Sequence, residues 1–305
     1  MLKTIVDIGN SIKLKNPIMT ASGTFGYGDE FAELYDLSKL GGIVTKAITP
    51  ELRIGNPLPR IAETEYGMLN SIGLANLGLD DFVTKKTSFI EKFNTIVFVN
   101  VAGKELKDYI EVAEKLNDID CIDGIEVNIS CPNVKEGGVA FGTDPKVAAE
   151  VTKAVRKVYK KHMMVKLSPN VTDIAKIAKA VEDAGADSLS LINTLFGMAI
   201  DTKTFKPKVK SIVAGYSGPG IKPVAIQAVY KCSQAVKIPL IGMGGITSAD
   251  DVIEFLLAGA TAVQVGTANF TNPLAALNIV NDLEKILKAR KITDVNSLIG
   301  GMIIE

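Results

Sequence analysis

The sequence contains no tryptophan, one histidine and three cysteines in 305 residues, and its 34 Lys+Arg offset 34 Asp+Glu to a formal net charge of zero. Each scarcity removes a class of function. With a single imidazole, neither a Ser-His-Asp triad nor a multi-histidine metal site is expected. That residue, His162, lies at the entry to an apolar run (KKHMMVKL), the end of a barrel strand that faces away from the chemistry. Proton transfer is left to Cys, Lys, Tyr or carboxylates. Three widely spaced cysteines build neither a disulfide framework nor a zinc-type cluster, so no metal is expected. A balanced charge gives nucleic acid or an anionic membrane nothing to grip. No run of about 18 apolar residues occurs, and the opening MLKTIVDIGNSIKLKNP has no apolar signal core. A cytoplasmic setting is expected.

What is present is 47% hydrophobic and 22% charged residues, enough to bury a large core. Eight short apolar runs read as buried parallel strands, being continuous rather than alternating. They are 17–22, 42–48, 96–103, 124–130, 163–169, 188–194, 239–246 and 262–268. Segments with helical spacing separate them. In DIAKIAKAVEDAGA, Ile174, Ile177, Ala178 and Val181 share a face and Gly185 is placed to end the helix. In SADDVIEFLLAGA, Ser248 caps with Asp251 three residues on, while Val252, Phe255, Leu256 and Gly259 line one side. Eight such alternations predict a (β/α)8 barrel with inserted loops at its C-terminal face. A doubly wound open sheet is the alternative, but no GxGxxG turn follows the first strand. No linker, repeat or low-complexity tract interrupts the chain, so 1–305 reads as one domain.

The connections 49–76, 131–143 and 195–219 exceed what a helix requires, and all follow strand C-termini, where barrels build active sites. The rim carries Ser22-Gly23, Lys46, Asn100, Asn128, Cys131, Lys166, Asn193-Thr194, Gly244-Gly245 and Gly266-Thr267. Amides offering both donors and acceptors suit the imide edge of a pyrimidine or a flavin. Gly244-Gly245 after the seventh strand and Gly266-Thr267 after the eighth are candidates for a phosphate cradle, to which the helix starting near Ser248 adds its positive end. Lys46 and Lys166 each end an apolar strand, and an inward-facing cation requires an anionic partner. A reduced flavin or a substrate carboxylate supplies one. Cys131, in NISCPN, follows the fourth strand and precedes VKEGGVAFG, a segment with the length and glycines of a lid. A thiol of pKa about 8.5 becomes a base where its surroundings favour the thiolate. Cys121 and Cys232 read as small buried hydrophobes.

The motifs NISCPNVKEGGVAFGTDP, NSIGLAN (70–76), VTKAIT (44–49), LINT (191–194), SGPGIKP (217–223) and IGMGGI (241–246) together resemble those of dihydroorotate dehydrogenases, over nearly the whole chain and most closely the class 1B catalytic subunit. The resemblance implies one FMN at the top of the barrel and oxidation of dihydroorotate to orotate in pyrimidine synthesis. It makes Cys131 the base that removes a proton from ring carbon 5 while ring carbon 6 delivers hydride to the flavin. It places substrate contacts at Lys46, Asn70, Ser71, Ile72, Gly73, Leu74, Asn128, Asn133, Asn193 and Thr194. It places FMN contacts at Ser22, Lys46, Ala47, Asn100, Asn128, Lys166, Ile192, Gly218, Gly244, Gly245, Gly266 and Thr267, with Lys166 stabilising negative charge on the reduced ring.

Membrane-attached relatives carry an apolar N-terminal extension and a serine base, neither of which occurs here. Class 1A enzymes, homodimers that reduce fumarate, also use cysteine and form one alternative. Class 1B members resemble a heterotetramer of two catalytic and two electron-transfer chains, the latter carrying FAD and a 2Fe–2S cluster and passing electrons to NAD+. Three dispersed cysteines and no dinucleotide fingerprint assign those cofactors to a partner. Thr20 and Tyr216 depart slightly from the family's wording. An alternative from another class is a phosphate-binding barrel lyase or aldolase using Lys46 or Lys166 as a Schiff base, which leaves the asparagines and Cys131 unexplained.

Overall fold

A computed structural model describes residues 2–130 and 141–304. Among these residues eight parallel strands close into a barrel: β1 (Ile18–Thr20), β2 (Gly42–Val44), β3 (Ile96–Val101), β4 (Gly124–Asn128), β5 (His162–Lys166), β6 (Ser188–Leu191), β7 (Leu240–Met243) and β8 (Ala262–Val265), with β8 pairing back onto β1. All eight fall within or at the edge of the apolar runs of the sequence. The strands are shorter than those runs, so Lys46, Asn193, Thr194, Gly244-Gly245 and Gly266-Thr267 sit just beyond the strand ends. The (β/α)8 expectation holds.

Helices cover the outside, the longer ones turning an apolar stripe inward. In Ile174–Asp183 the buried residues are Ile174, Ile177, Ala178 and Val181, with Asp173 accepting from Ala175 N–H at the N-cap. Gly185 follows at φ 103°, and the Ala186 N–H bonds the Val181 carbonyl, closing the helix on a left-handed glycine. The helix Ala249–Leu257 begins with the expected box: Ser248 Oγ accepts from Asp251 N–H and the Asp251 carboxylate accepts from Ser248 N–H. Gly259 is not on its buried face. It lies past the helix end at φ 112°, where a left-handed turn reverses the chain, and an added Cβ would meet the Ser233 Cβ at 2.5 Å.

The barrel floor is closed by the antiparallel pair Val6–Asp7 and Lys13–Leu14. His162 sits there, its Nδ1 3.1 Å from the Gly9 carbonyl and its Nε2 2.8 Å from Ser188 Oγ. It is fully buried and remote from the mouth, consistent with strand entry.

Two of the long connections are not irregular. Ile61–Thr64 and Gly67–Asn70 from the first pair with Ala214–Ser217 and Leu195–Gly197 from the second, giving a four-stranded antiparallel sheet over the mouth. Leu69, Val209 and Ala214 form its small apolar core. Its pairing joins residues about 145 positions apart, which local periodicity in the sequence does not reveal.

Candidate active site

Five strands send polar side chains into the barrel interior. Glu126, in the middle of β4, is fully buried. Its Oε2 accepts from Asn100 Nδ2 of β3 at 2.5 Å, and its Oε1 accepts from Ser190 Oγ of β6 at 2.8 Å and Gln264 Nε2 of β8 at 2.9 Å. Lys166, at the end of β5 and 6% exposed, holds its Nζ 3.8 Å from Glu126 Oε2. That separation is an ion pair and exceeds hydrogen-bond length. Among the described residues the Lys166 ammonium donates to nothing, and Asn100 Oδ1 and Gln264 Oε1 are buried with no donor. A buried cation and buried acceptors left without partners are costly unless a ligand completes them.

The anionic partner anticipated for Lys166 is therefore in part the chain's own Glu126. Glu126 is not among the residues singled out by the sequence motifs. Its signal was a carboxylate interrupting the apolar run GIEVNIS at the same strand parity as Asn128.

One layer higher, Asn193 Nδ2 donates to Asn128 Oδ1 at 3.3 Å, and the same oxygen accepts from Ser130 N–H. Tyr109 OH donates to the Asn128 carbonyl at 2.9 Å, holding the strand end. Thr194 continues toward the appended sheet, where a Cβ on Gly215 would meet Thr194 Oγ1 at 2.3 Å. Asn70 pairs with Gly215 and its Nδ2 reaches the Gly215 carbonyl at 3.4 Å. Asn70, at the start of the run to Leu74, is thereby brought beside the strand that Thr194 packs against. The shape of the run is set by Gly73 and Leu74 at positive φ, by Asn56 N–H on the Ile72 carbonyl and by Asn56 Nδ2 on the Ser71 carbonyl. Lys46, half-buried, hangs from Gly26 through its backbone N–H. Burial pushes its ammonium pKa down and the nearby Arg60 charge adds to this, with Glu30 opposing.

The third group is glycine-rich. A Cβ on Gly245 would lie 2.9 Å from the Gly218 carbonyl and 2.8 Å from Lys222 Cβ, and one on Gly218 would lie 2.6 Å from Gly67 Cα. Gly218, Gly244 and Gly245 all take positive φ, so side chains are excluded by both space and conformation. Thr267 Oγ1 donates to Ser217 Oγ at 2.9 Å, tying the β8 loop to the same corner. Ser22 and Gly266 follow the ends of β1 and β8, where Ala21 N–H bonds the Val265 carbonyl. Ala47 and Ile192 are buried beside the mouth, Ile192 N–H bonding the Met243 carbonyl. Among the described residues the N–H groups of Gly218, Gly244, Gly245, Gly266 and Thr267 have no acceptor. Backbone N–H groups of this kind are donors that an anion can take.

At the helix starting near Ser248, two of the terminal N–H groups already have an acceptor within the chain. Thr247 N–H and Ser248 N–H both donate to Asp251 Oδ2, and Lys222 Nζ lies 2.6 Å from Asp251 Oδ1. Burial pushes the Asp251 carboxyl up, but Lys222 and the hydrogen bonds from Thr247 and Ser248 outweigh it and hold it below the usual range.

Cys131 and Asn133, and with them most of the expected lid, lie outside the described residues. Cys232 is fully buried, its thiol pKa pushed up to about 12 by burial, as suits a core residue. Cys121 is only partly buried, 3.7 Å from the Thr87 carbonyl.

A closed (β/α)8 barrel with a buried lysine, buried amide side chains and glycine-rich loops at its C-terminal mouth has the architecture of barrels that bind ligands at that face. The chain belongs to the dihydroorotate dehydrogenase family, whose model, described as "Dihydroorotate dehydrogenase", matches residues 4–287. It is 56% identical over 292 residues, 96% of each chain, to a protein of Geotalea uraniireducens named dihydroorotate dehydrogenase B (NAD(+)), catalytic subunit. Proteins of the same name from Trichlorobacter lovleyi and Alkaliphilus metalliredigens are 54% identical over 297 residues and 53% identical over 291 residues. These cover 97% of this chain and 97% of the relative, and 95% and 96%, respectively.

Proposed function

We propose that this chain oxidises dihydroorotate to orotate in pyrimidine synthesis with one FMN at the barrel mouth, and that its electrons leave through a partner subunit to NAD+. The observation that carries this reading is Lys166: a buried ammonium with no hydrogen-bond acceptor among the described residues, beside an orphaned Asn100 carbonyl. An isoalloxazine's pyrimidine edge offers the complement, acceptors for the lysine and an imide N–H for the asparagine. The N–H cradle at Gly218, Gly244, Gly245, Gly266 and Thr267 suits the phosphate. Ser22, Lys46, Ala47, Asn128 and Ile192 border the same space.

When bound, FMN supplies a two-electron acceptor. The chain's residues do the rest. Asn70–Leu74, Asn128, Asn193 and Thr194, with Asn133, hold the substrate ring, while Lys46 answers its carboxylate. Cys131 takes the proton from ring carbon 5. Holding base, substrate and cofactor in line supplies much of the rate, because one encounter replaces three.

The names of the relatives, with "NAD(+)" and "catalytic subunit" printed together, support an electron-transfer partner. We assign FAD and a 2Fe–2S cluster to that partner, in a heterotetramer of two chains of each kind. Among the described residues no helix is long and apolar enough to cross a membrane, and we place the enzyme in the cytoplasm. The single-domain reading of 1–305 is supported by one apolar core cluster running from Val6 to Val295.

The test is direct. The purified chain is expected to be yellow, or to turn yellow with added FMN, and to reduce an artificial dye with dihydroorotate. A colourless protein that takes up no FMN ends this reading and returns the barrel to lyase or aldolase chemistry.

A further inference from the structure

We propose that Glu126 is a positioning residue of the site: its carboxylate orients Asn100 and offsets the charge of Lys166, and so sets how strongly the mouth prefers the reduced cofactor to the oxidised one. The inference rests on the FMN reading above.

Glu126 is fully buried among three strands other than its own, and a carboxylate in a barrel core is retained only where its acceptor sites are filled. Asn100, Ser190 and Gln264 fill three of them at 2.5, 2.8 and 2.9 Å. An ionised carboxylate only accepts. It therefore forces both amides to turn their NH2 groups inward, which leaves Asn100 Oδ1 and Gln264 Oε1 as the atoms without partners. Asn100 thus presents an acceptor rather than a donor, and an acceptor is what an imide N–H requires. Were the carboxylate an amide, one of its two acceptor oxygens would become an NH2 donor, so the two amides facing it would no longer both be held with their NH2 groups inward, and Asn100 would be free to rotate.

The second effect is electrostatic. Lys166 Nζ lies 3.8 Å from Glu126 Oε2 at 6% exposure, so the pair presents the mouth with a nearly neutral dipole whose positive end is uppermost. Reduced FMN carries more negative charge than oxidised FMN. A carboxylate beneath the lysine weakens the preference for the reduced form, and its removal strengthens it. At low effective dielectric this interaction acts over several ångströms.

The experiment is a redox titration of the flavin-loaded full-length chain, followed by flavin absorbance, for wild type, Glu126→Gln, Lys166→Met and the double variant. In Glu126→Gln the ratio of affinities for reduced over oxidised FMN is expected to rise tenfold, a positive shift of about 30 mV for a two-electron couple. Lys166→Met is expected to shift it in the opposite direction, with the double variant between the two. Weaker binding of oxidised FMN by Glu126→Gln accompanies the change, because Asn100 is no longer locked.

A Glu126→Gln potential equal to wild type, or displaced in the direction of Lys166→Met, overturns the inference. If that variant fails to fold, the double variant carries the test: a potential equal to that of Lys166→Met alone also overturns it. A wild-type chain that binds no FMN breaks the underlying reading instead. A flavin-loaded wild type indifferent to Glu126 breaks only the inference.

Discussion

Cys131, Lys166 and His162 occupy three chemical situations. Removing the thiol in Cys131→Ala leaves the cradle and Lys166 in place, so the variant is expected to keep FMN but lose about 10²–10⁴-fold in turnover of dihydroorotate. Steady-state kinetics on the flavin-loaded variant check it, and near-wild-type rates remove Cys131 from the role of base. His162 is a structural residue at the opposite end. Burial, the largest influence, lowers its pKa to about 4, although Asp187 and the Gly9 carbonyl oppose this. An unfolded histidine titrates near about 6.5. As pH falls from about 6.5 to about 4 the unfolded chain takes up the proton first, so stability is lost across that window, with a slope approaching about 1.4 kcal/mol per pH unit. In His162→Gln that contribution vanishes. Urea unfolding midpoints of the two proteins from pH 7 to 4 are expected to converge as pH falls, and parallel curves would contradict the assignment. Of the residues singled out in the sequence, Lys166 and Asn100 were legible because a polar residue at the end of an apolar strand is expensive. Glu126 was not, because a carboxylate within a run becomes meaningful only when three other strands bring it donors.

At the scale of elements, the helices and their ends were the most legible. Ser248 with Asp251, and Gly185 after its helix, follow from local bonding rules that act within four residues. Ser248→Ala is expected to cost about 1 kcal/mol. Gly259→Ala is expected to cost more, since φ is 112° and Ser233 fills the space a Cβ needs. Chemical denaturation of both variants, with flavin absent, measures this order, and a neutral Gly259→Ala would refute the turn's strain. The same helix also shows where local reasoning stops. Its N-terminus reads as an anion site, while Asp251 accepts from Thr247 and Ser248 and pairs with Lys222 from a different helix, a partner 29 residues away. The appended sheet was missed for a related reason: strands of three or four residues carry too few alternations to be recognised, and their partners come from a distant insertion.

For the molecule as a whole, the barrel converts eight separate strand ends into one mouth, and the two insertions pair across it so that Asn70 meets Gly215 and Gly67 approaches Gly218. The proposed route for electrons also belongs to this scale. The chain alone is expected to oxidise dihydroorotate with a dye but not with NAD+, and to gain NAD+ reduction when co-purified with its electron-transfer partner. Rapid fumarate reduction by the lone chain would instead mark a class 1A enzyme. By itself the sequence determined the eightfold alternation, the helix caps and the polar types at the strand ends, since periodicity, capping and the cost of burying polar groups all act over short stretches of chain. Only the tertiary structure decided which of those polar groups meet. Closure of the barrel put Glu126 under Lys166, paired Asp251 with Lys222 of another helix, and gathered glycines from three loops at one corner of the mouth, because contacts across a lumen depend on register and shear around the whole cylinder.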